Sequence, residues 1–179
     1  MRVVDEQSRS CPMTSMTSEP STRLLLAFDG SDLSQRAIER AGELLRGSNA
    51  VVLTVYEPVA PVVPTPMGAA MAAEATVMGF DQEGAGEAEG ERARQLATEG
   101  QRLAERAGLS ASAETACASG TAGIADAIVE KARQIDATLI VVGSHGRSAL
   151  GAALLGSVSS SVLHRSTLPV LVVPAGPED

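Results

Sequence analysis

The chain has 179 residues, and with 44% apolar residues but only 2% aromatics its core must be built from Val, Leu, Ile and Ala. Acidic residues outnumber basic ones, 22 to 14, and the formal net charge of −8 repels polyanions at long range, which sets nucleic acid and anionic membrane aside as partners. No apolar run approaches the roughly 20 residues of a membrane-spanning helix. The two cysteines, Cys11 and Cys117, form neither a C-x-x-C pair nor a metal-ligand spacing, which reads as unpaired thiols in a reducing cytoplasm.

Residues 1–22 carry charges, Ser, Thr and Pro without the apolar stretch of a secretory signal, and read as a disordered arm. A first strand is expected over 23–28, centred on Leu24, Leu25 and Leu26. Asp32, with Gln35 three residues on, predicts a capping box, and Leu33, Ala37, Ile38, Ala41, Leu44 and Leu45 then recur at helical spacing until Gly47. A second strand follows over 50–56. Pro58, Pro61, Pro64 and Pro66 exclude a regular element in segment 57–86, and Met67, Met71 and Met78 follow. That segment reads either as a flexible insertion without a role or as a flap over a ligand.

A helix is expected over 87–107 with a thin stripe of Leu96, Leu103 and Ala107, stopped by Gly108. A weak third strand over 112–117 precedes a helix over 121–135 that repeats Ile124, Ile128 and Ile135. The fourth strand, 138–142, is a continuous apolar run. A fourth helix over 157–165 ends before Pro169, with Ser159, Ser160 and Ser161 read as its polar face. Val170-Leu171-Val172-Val173 closes one domain over 23–175, leaving 176–179 as a tail. Strands alternating with helices predict an α/β fold, an open five-stranded parallel sheet with helices on both faces, Rossmann-like in outline. Ligands of such sheets sit beyond the carboxyl ends of the strands, where strand order reverses.

The stretch from Val142-Gly143-Ser144-His145-Gly146-Arg147 to Leu155-Gly156-Ser157-Val158-Ser159 runs from a buried strand into a helix. Glycines at 143 and 146 let the backbone approach an anion closely, and helix amides at 156 and 157 favour phosphate. His145 and Arg147 are the nearest cationic candidates for a phosphate, although His145 reads equally well as a plain loop residue. Asp29, read from its neighbours alone, is a turn-forming residue before Gly30.

The spacing G-x2-G-x9-G-S, formed by Gly143, Gly146, Gly156 and Ser157, resembles the ATP-binding signature of the universal stress protein family. Segments 136–148, 154–159 and 168–174, and Leu26-Ala27-Phe28-Asp29-Gly30-Ser31, are similar to that family's text, so the resemblance covers about 22–175. It implies an adenine-nucleotide α-hydrolase-like fold with Asp29 near ribose and adenine, and Val55 holding adenine through its backbone. It further implies Gly143 at the ribose, and Gly146, Gly156, Ser157 and the Val158 backbone at the phosphates, with Ala27 and Val142 walling the nucleotide. The chain departs from the family at Thr54, where relatives carry His, which leaves a backbone contact from Val55 intact.

The resemblance implies an ATP-binding stress-response regulator, with AMP or ADP as other adenylates and Mg²⁺ or Mn²⁺ on the phosphates. Nucleotide occupancy would control loop order, dimer state or an unidentified protein partner. It also implies a homodimer through the strand Val170–Val173. The P-loop G-x-x-x-x-G-K-[ST] is missing, and no paired carboxylates or His–Ser–Asp set stands out, so no catalytic residue is assigned. The alternative is an adenylate-using enzyme of the same superfamily. Such enzymes commonly carry S-G-G-x-D-S after the first strand, where this chain has Asp29-Gly30-Ser31-Asp32.

Overall fold

The computed structural model describes residues 22–57, 82–118, 123–145 and 155–175. Within them five strands alternate with four helices, in the order β1 (Arg23–Ala27), α1 (Asp32–Leu44), β2 (Asn49–Tyr56), α2 (Gln82–Arg106), β3 (Ser110–Cys117), α3 (Ile124–Gln134), β4 (Leu139–Gly143), α4 (Ser157–Arg165) and β5 (Val170–Val173). The strands pair in parallel in the order β3-β2-β1-β4-β5. Strand order therefore reverses between β1 and β4, as the alternation of elements predicts.

Side chains alternate across each strand and so divide the core into two layers. Leu24, Leu26, Phe28, Val52 and Val141 pack with Ala37, Ile38 and Ala41 of α1 and Ala104 of α2. Leu25, Val51, Leu53, Ile140 and Val142 pack on the other face with Ile128, Val129 and Ala132 of α3 and Val162 of α4. Both faces are covered, which is why the inner strands read as continuous aliphatic runs rather than alternating ones.

Local chemistry sets the element ends. The N-cap of α1 is Ser31, not Asp32: Ser31 has extended backbone, and its Oγ accepts the Ser34 amide at 3.2 Å. Asp32 instead falls in the first turn, where its charge complements the helix dipole. Gly47 and Gly108 follow α1 and α2 with φ of 83° and 90°, values that carry a steric cost for other residues. The Gly47 amide donates to the Gly108 carbonyl at 2.8 Å, which ties the two helix-to-strand turns together.

α2 begins at Gln82, five residues before the expected start, so the end of segment 57–86 is helical. Its buried stripe is also different from the expected one. Gly90, Ala93, Ala97, Gly100 and Ala104 are buried, whereas Leu96 and Leu103 are only partly so. A Cβ at Gly100 would lie 2.7 Å from Phe28 and 2.8 Å from Val52, so α2 rests almost directly on the sheet. β3 starts two residues earlier than expected because Ser110 and Ala111 pair with Asn49 and Ala50 regardless of their low apolarity. α3 spans Ile124–Gln134, inside the expected 121–135. The arm, Cys11, residues 58–81 and the tail lie outside the described residues.

The close approach of helices is testable at Gly42, where a Cβ would sit 2.5 Å from the Ala107 carbonyl oxygen. Gly42→Ala is expected to lower unfolding free energy by about 1–3 kcal/mol through overpacking against backbone. Gly86→Ala, with open space around the added methyl, is expected to be neutral or to stabilise by up to ~1 kcal/mol. Urea denaturation of both variants checks the pair.

Candidate functional site

The reversal between β1 and β4 brings three chain segments to one end of the sheet: the turn after β1, the segment after β4 and the entrance of α4. Phe28 continues the β1–β2 ladder, its amide donating to the Leu53 carbonyl at 2.9 Å. The chain then turns through Asp29 and Gly30, the latter at φ 79°. One carboxylate oxygen of Asp29, Oδ1, accepts both the Ser31 amide at 3.0 Å and the Ser31 hydroxyl at 2.6 Å. Asp29 is therefore a turn former, and its Oδ2 is the oxygen outside that turn.

On the facing strand, Gly143 ends β4, and a Cβ there would lie 3.0 Å from the main chain of Leu33 in α1. The missing side chain is required by packing against the first turn of α1. Gly156 has a similar constraint. A Cβ on it would meet the Ser144 carbonyl at 3.1 Å and the His145 Cα at 3.3 Å. Its amide donates to the Ser144 carbonyl at 2.7 Å, so Gly156 fixes the approach of α4 and has its own N–H occupied within the fold.

The α4 entrance differs from the starts of α1 and α3. α1 has Ser31 as cap and Asp32 in its first turn, and α3 has the Asp126 carboxylate accepting the Gly123 amide at 3.3 Å. α4 has Gly156 as N-cap with no side-chain cap and no acid in its first turn. The amides of Ser157 and Val158 stand ahead of the first intrahelical bond, which runs from the Ser160 amide to the Gly156 carbonyl at 2.9 Å. Beside this entrance His145 Nδ1 lies 3.0 Å from the Ser144 hydroxyl. Its Nε2 is buried and has no hydrogen-bond partner among the described residues. A buried nitrogen in that state is costly unless something beyond the described residues completes it.

The remaining expected residues fall as follows. Ala27 and Val55 are partly buried against the α3–α4 layer near the strand ends, and Val158 joins the same layer. Val142 is only 3% exposed and belongs to the aliphatic layer rather than to an open wall. Thr54 is buried, its hydroxyl donating to the Phe28 carbonyl at 3.0 Å. Gly146 and Arg147 lie outside the described residues. Ser159, read from sequence as part of a polar face, is 5% exposed and donates to the Gly143 carbonyl at 2.7 Å. Helical spacing could have found it: Ser159 stands three residues before Val162, which is fully buried. Among the described residues no group of three His, Cys, Asp or Glu side chains could hold a metal ion, and no helix is long and apolar enough to cross a membrane.

Opposite its entrance, α4 is tied to α3 by an ion pair between Arg165 and Asp126. The Arg165 guanidinium, by hydrogen bond and charge, holds the Asp126 carboxyl below its ordinary value of 3.8. A carboxyl lowered in the folded state stabilises the fold above its unfolded value, and that contribution is lost as pH falls through the folded one. Asp126→Asn is therefore expected to lower the melting temperature slightly at neutral pH, with the difference from the parent closing as pH falls below the ordinary carboxyl value of 3.8. Melting curves across pH check this, and added salt is expected to shrink the effect at this exposed pair.

Comparison with known proteins places this geometry in a family. A sequence model of the universal stress protein family matches residues 20–174. Universal stress protein YxiE of Bacillus subtilis is 34% identical over 153 residues, covering 84% of this chain and 97% of that protein. The universal stress protein UspA from Lactobacillus plantarum superposes with a TM-score of 0.61 at 22% identity, over 86% of this chain and 97% of that one. A universal stress protein crystallised in complex with cAMP superposes with a TM-score of 0.56 at 26% identity, over 87% of this chain and 98% of that one.

Proposed function

The chain belongs to the universal stress protein family, and from that premise we propose that it is an ATP-binding regulator whose nucleotide occupancy governs loop order, dimer state or partner binding. The observation that carries this reading is the pairing of an uncapped helix entrance with the buried Nε2 of His145, which has no hydrogen-bond partner among the described residues. Both want an anion. The entrance offers the Ser157 and Val158 amides at the positive end of a helix dipole, and a protonated Nε2 offers a third donor. With a net charge of −8 the molecule as a whole repels ATP, so the phosphates must be held by such local donors, Gly146 and Arg147 contributing from the same stretch.

The sugar end falls to the acidic side of the crevice. Asp29 would repel phosphate, but its Oδ2 suits a ribose hydroxyl, with Gly143 across from it. The main chain at Val55, beside the Ala27 and Val142 layer, would hold adenine. The cAMP complex of a structural relative supports an adenine nucleotide as the ligand class. Mg²⁺ or Mn²⁺ would ride on the phosphate oxygens and their waters, as such ions normally do. Pairing of two chains through the edge strand β5 in a cytoplasmic homodimer completes the reading. Val170, Leu171 and Val172 of that strand are only partly buried in the single chain.

Calorimetric titration with ATP tests the proposal. The parent protein is expected to bind, and undetectable heat at millimolar nucleotide would overturn the reading. Gly156→Val is expected to abolish binding while the circular dichroism spectrum stays that of the parent. Its side chain would push the α4 entrance away from Ser144 and His145. For the dimer, light scattering is expected to give twice the 18.3 kDa chain mass, and a single-chain mass at high concentration counts against it.

A further inference from the structure

Four polar side chains are buried among the described residues: Ser34, Thr54, Ser144 and Ser159. All four lie at the carboxyl end of the sheet, and three of them bond main-chain carbonyls. Ser34 holds the Ser31 carbonyl at 2.8 Å, Thr54 the Phe28 carbonyl at 3.0 Å and Ser159 the Gly143 carbonyl at 2.7 Å. The last differs from the others in what it joins. Ser159 is the third residue of α4, and its hydroxyl reaches across to the strand end instead of back into its own helix.

Ser159 therefore closes a seam. On one side stand Gly143, Ser144 and His145; on the other stand Gly156 and Ser159. The seam has the Ser159 hydroxyl on the Gly143 carbonyl and the Gly156 amide on the Ser144 carbonyl. The missing Cβ of Gly156 lets the two main chains come this close. Between the two anchoring bonds lie the Ser157 and Val158 amides. Their position relative to Gly143 and His145 is set by the seam together with the packing of the Val158 side chain.

We infer that Ser159 is a positioning residue for the phosphate end of the nucleotide: it touches no ligand, but fixes the α4 entrance against β4 so that its amides are preorganised. The inference rests on the nucleotide reading above. Rigid placement of donors raises affinity by removing the cost of ordering them on binding. The effect is confined to what the entrance grips. Adenosine, which lacks phosphate, gains nothing from it, whereas ATP gains in full.

The test compares adenosine and ATP binding by calorimetry in the parent, Ser159→Ala, Ser159→Thr and Ser159→Val. Thr keeps the hydroxyl, and Val keeps the shape of Thr without it, so the last two separate the hydrogen bond from packing. Loss of the hydroxyl in Ala and Val is expected to weaken ATP about five- to thirtyfold, the range of one buried hydrogen bond. Adenosine affinity is expected to stay at the parent value, and Thr to restore ATP binding. Amide exchange at Gly156 in the free protein is expected to accelerate in Ala and Val. Equal weakening of adenosine and ATP, or parent-like ATP binding in both hydroxyl-free variants, overturns the inference while the nucleotide reading stands. A parent protein that binds neither ligand overturns both.

Discussion

Everything at the working end of this molecule depends on the burial of β1 from both sides. Leu24, Leu25 and Leu26 are at most 1% exposed, and they alternate between two helical layers. A strand in that position has neighbours on both edges, β2 and β4. Helices must then cross on opposite faces, because each parallel crossover is right-handed. The crevice between the ends of β1 and β4 is the geometric consequence. No residue in it had to be placed there individually.

Within that crevice the protein treats main-chain groups unequally. Strand-end carbonyls are held by buried hydroxyls from Thr54 and Ser159. The carbonyl of Ser144 takes the Gly156 amide. Acceptors are thus satisfied by the chain itself, while the first amides of α4 and the Nε2 of His145 are left without partners among the described residues. An end of the sheet with its acceptors occupied and its donors free would suit an anion, and in an acidic protein such a preference has to be local.

The glycines show how one sequence pattern carries two physical meanings. Read along the chain, Gly143 and Gly156 suggest backbone laid bare for a phosphate. In three dimensions Gly143 makes room for Leu33 of α1, and Gly156 makes room for Ser144 and His145. Close packing and anion approach are compatible here, since the packing is what brings the α4 entrance to the strand end. Glycine spacing alone could not have separated them. The stripe of α2 was hidden for a related reason. Alanine and glycine at 90, 93, 97, 100 and 104 carry little hydrophobic signal, yet they are buried because the helix lies close to the sheet, most tightly at Gly100.

By itself the chain's sequence determined the aliphatic strands, their alternation with helices, the stops at Gly47 and Gly108 and the family signature. These are local or periodic properties, written in neighbouring residues. It also placed Asp29 after the first strand and His145, Gly156 and Ser157 between the fourth strand and the last helix. Only the tertiary structure decided that Ser31 caps α1, that Gly156 uses its amide internally, that Val142 belongs to the core and that Ser159 is a brace. Each of those depends on a partner far along the chain or on which of two adjacent hydroxyl or carboxylate groups reaches an amide first. Such choices are made by packing distances of a few tenths of an ångström, and no periodicity records them.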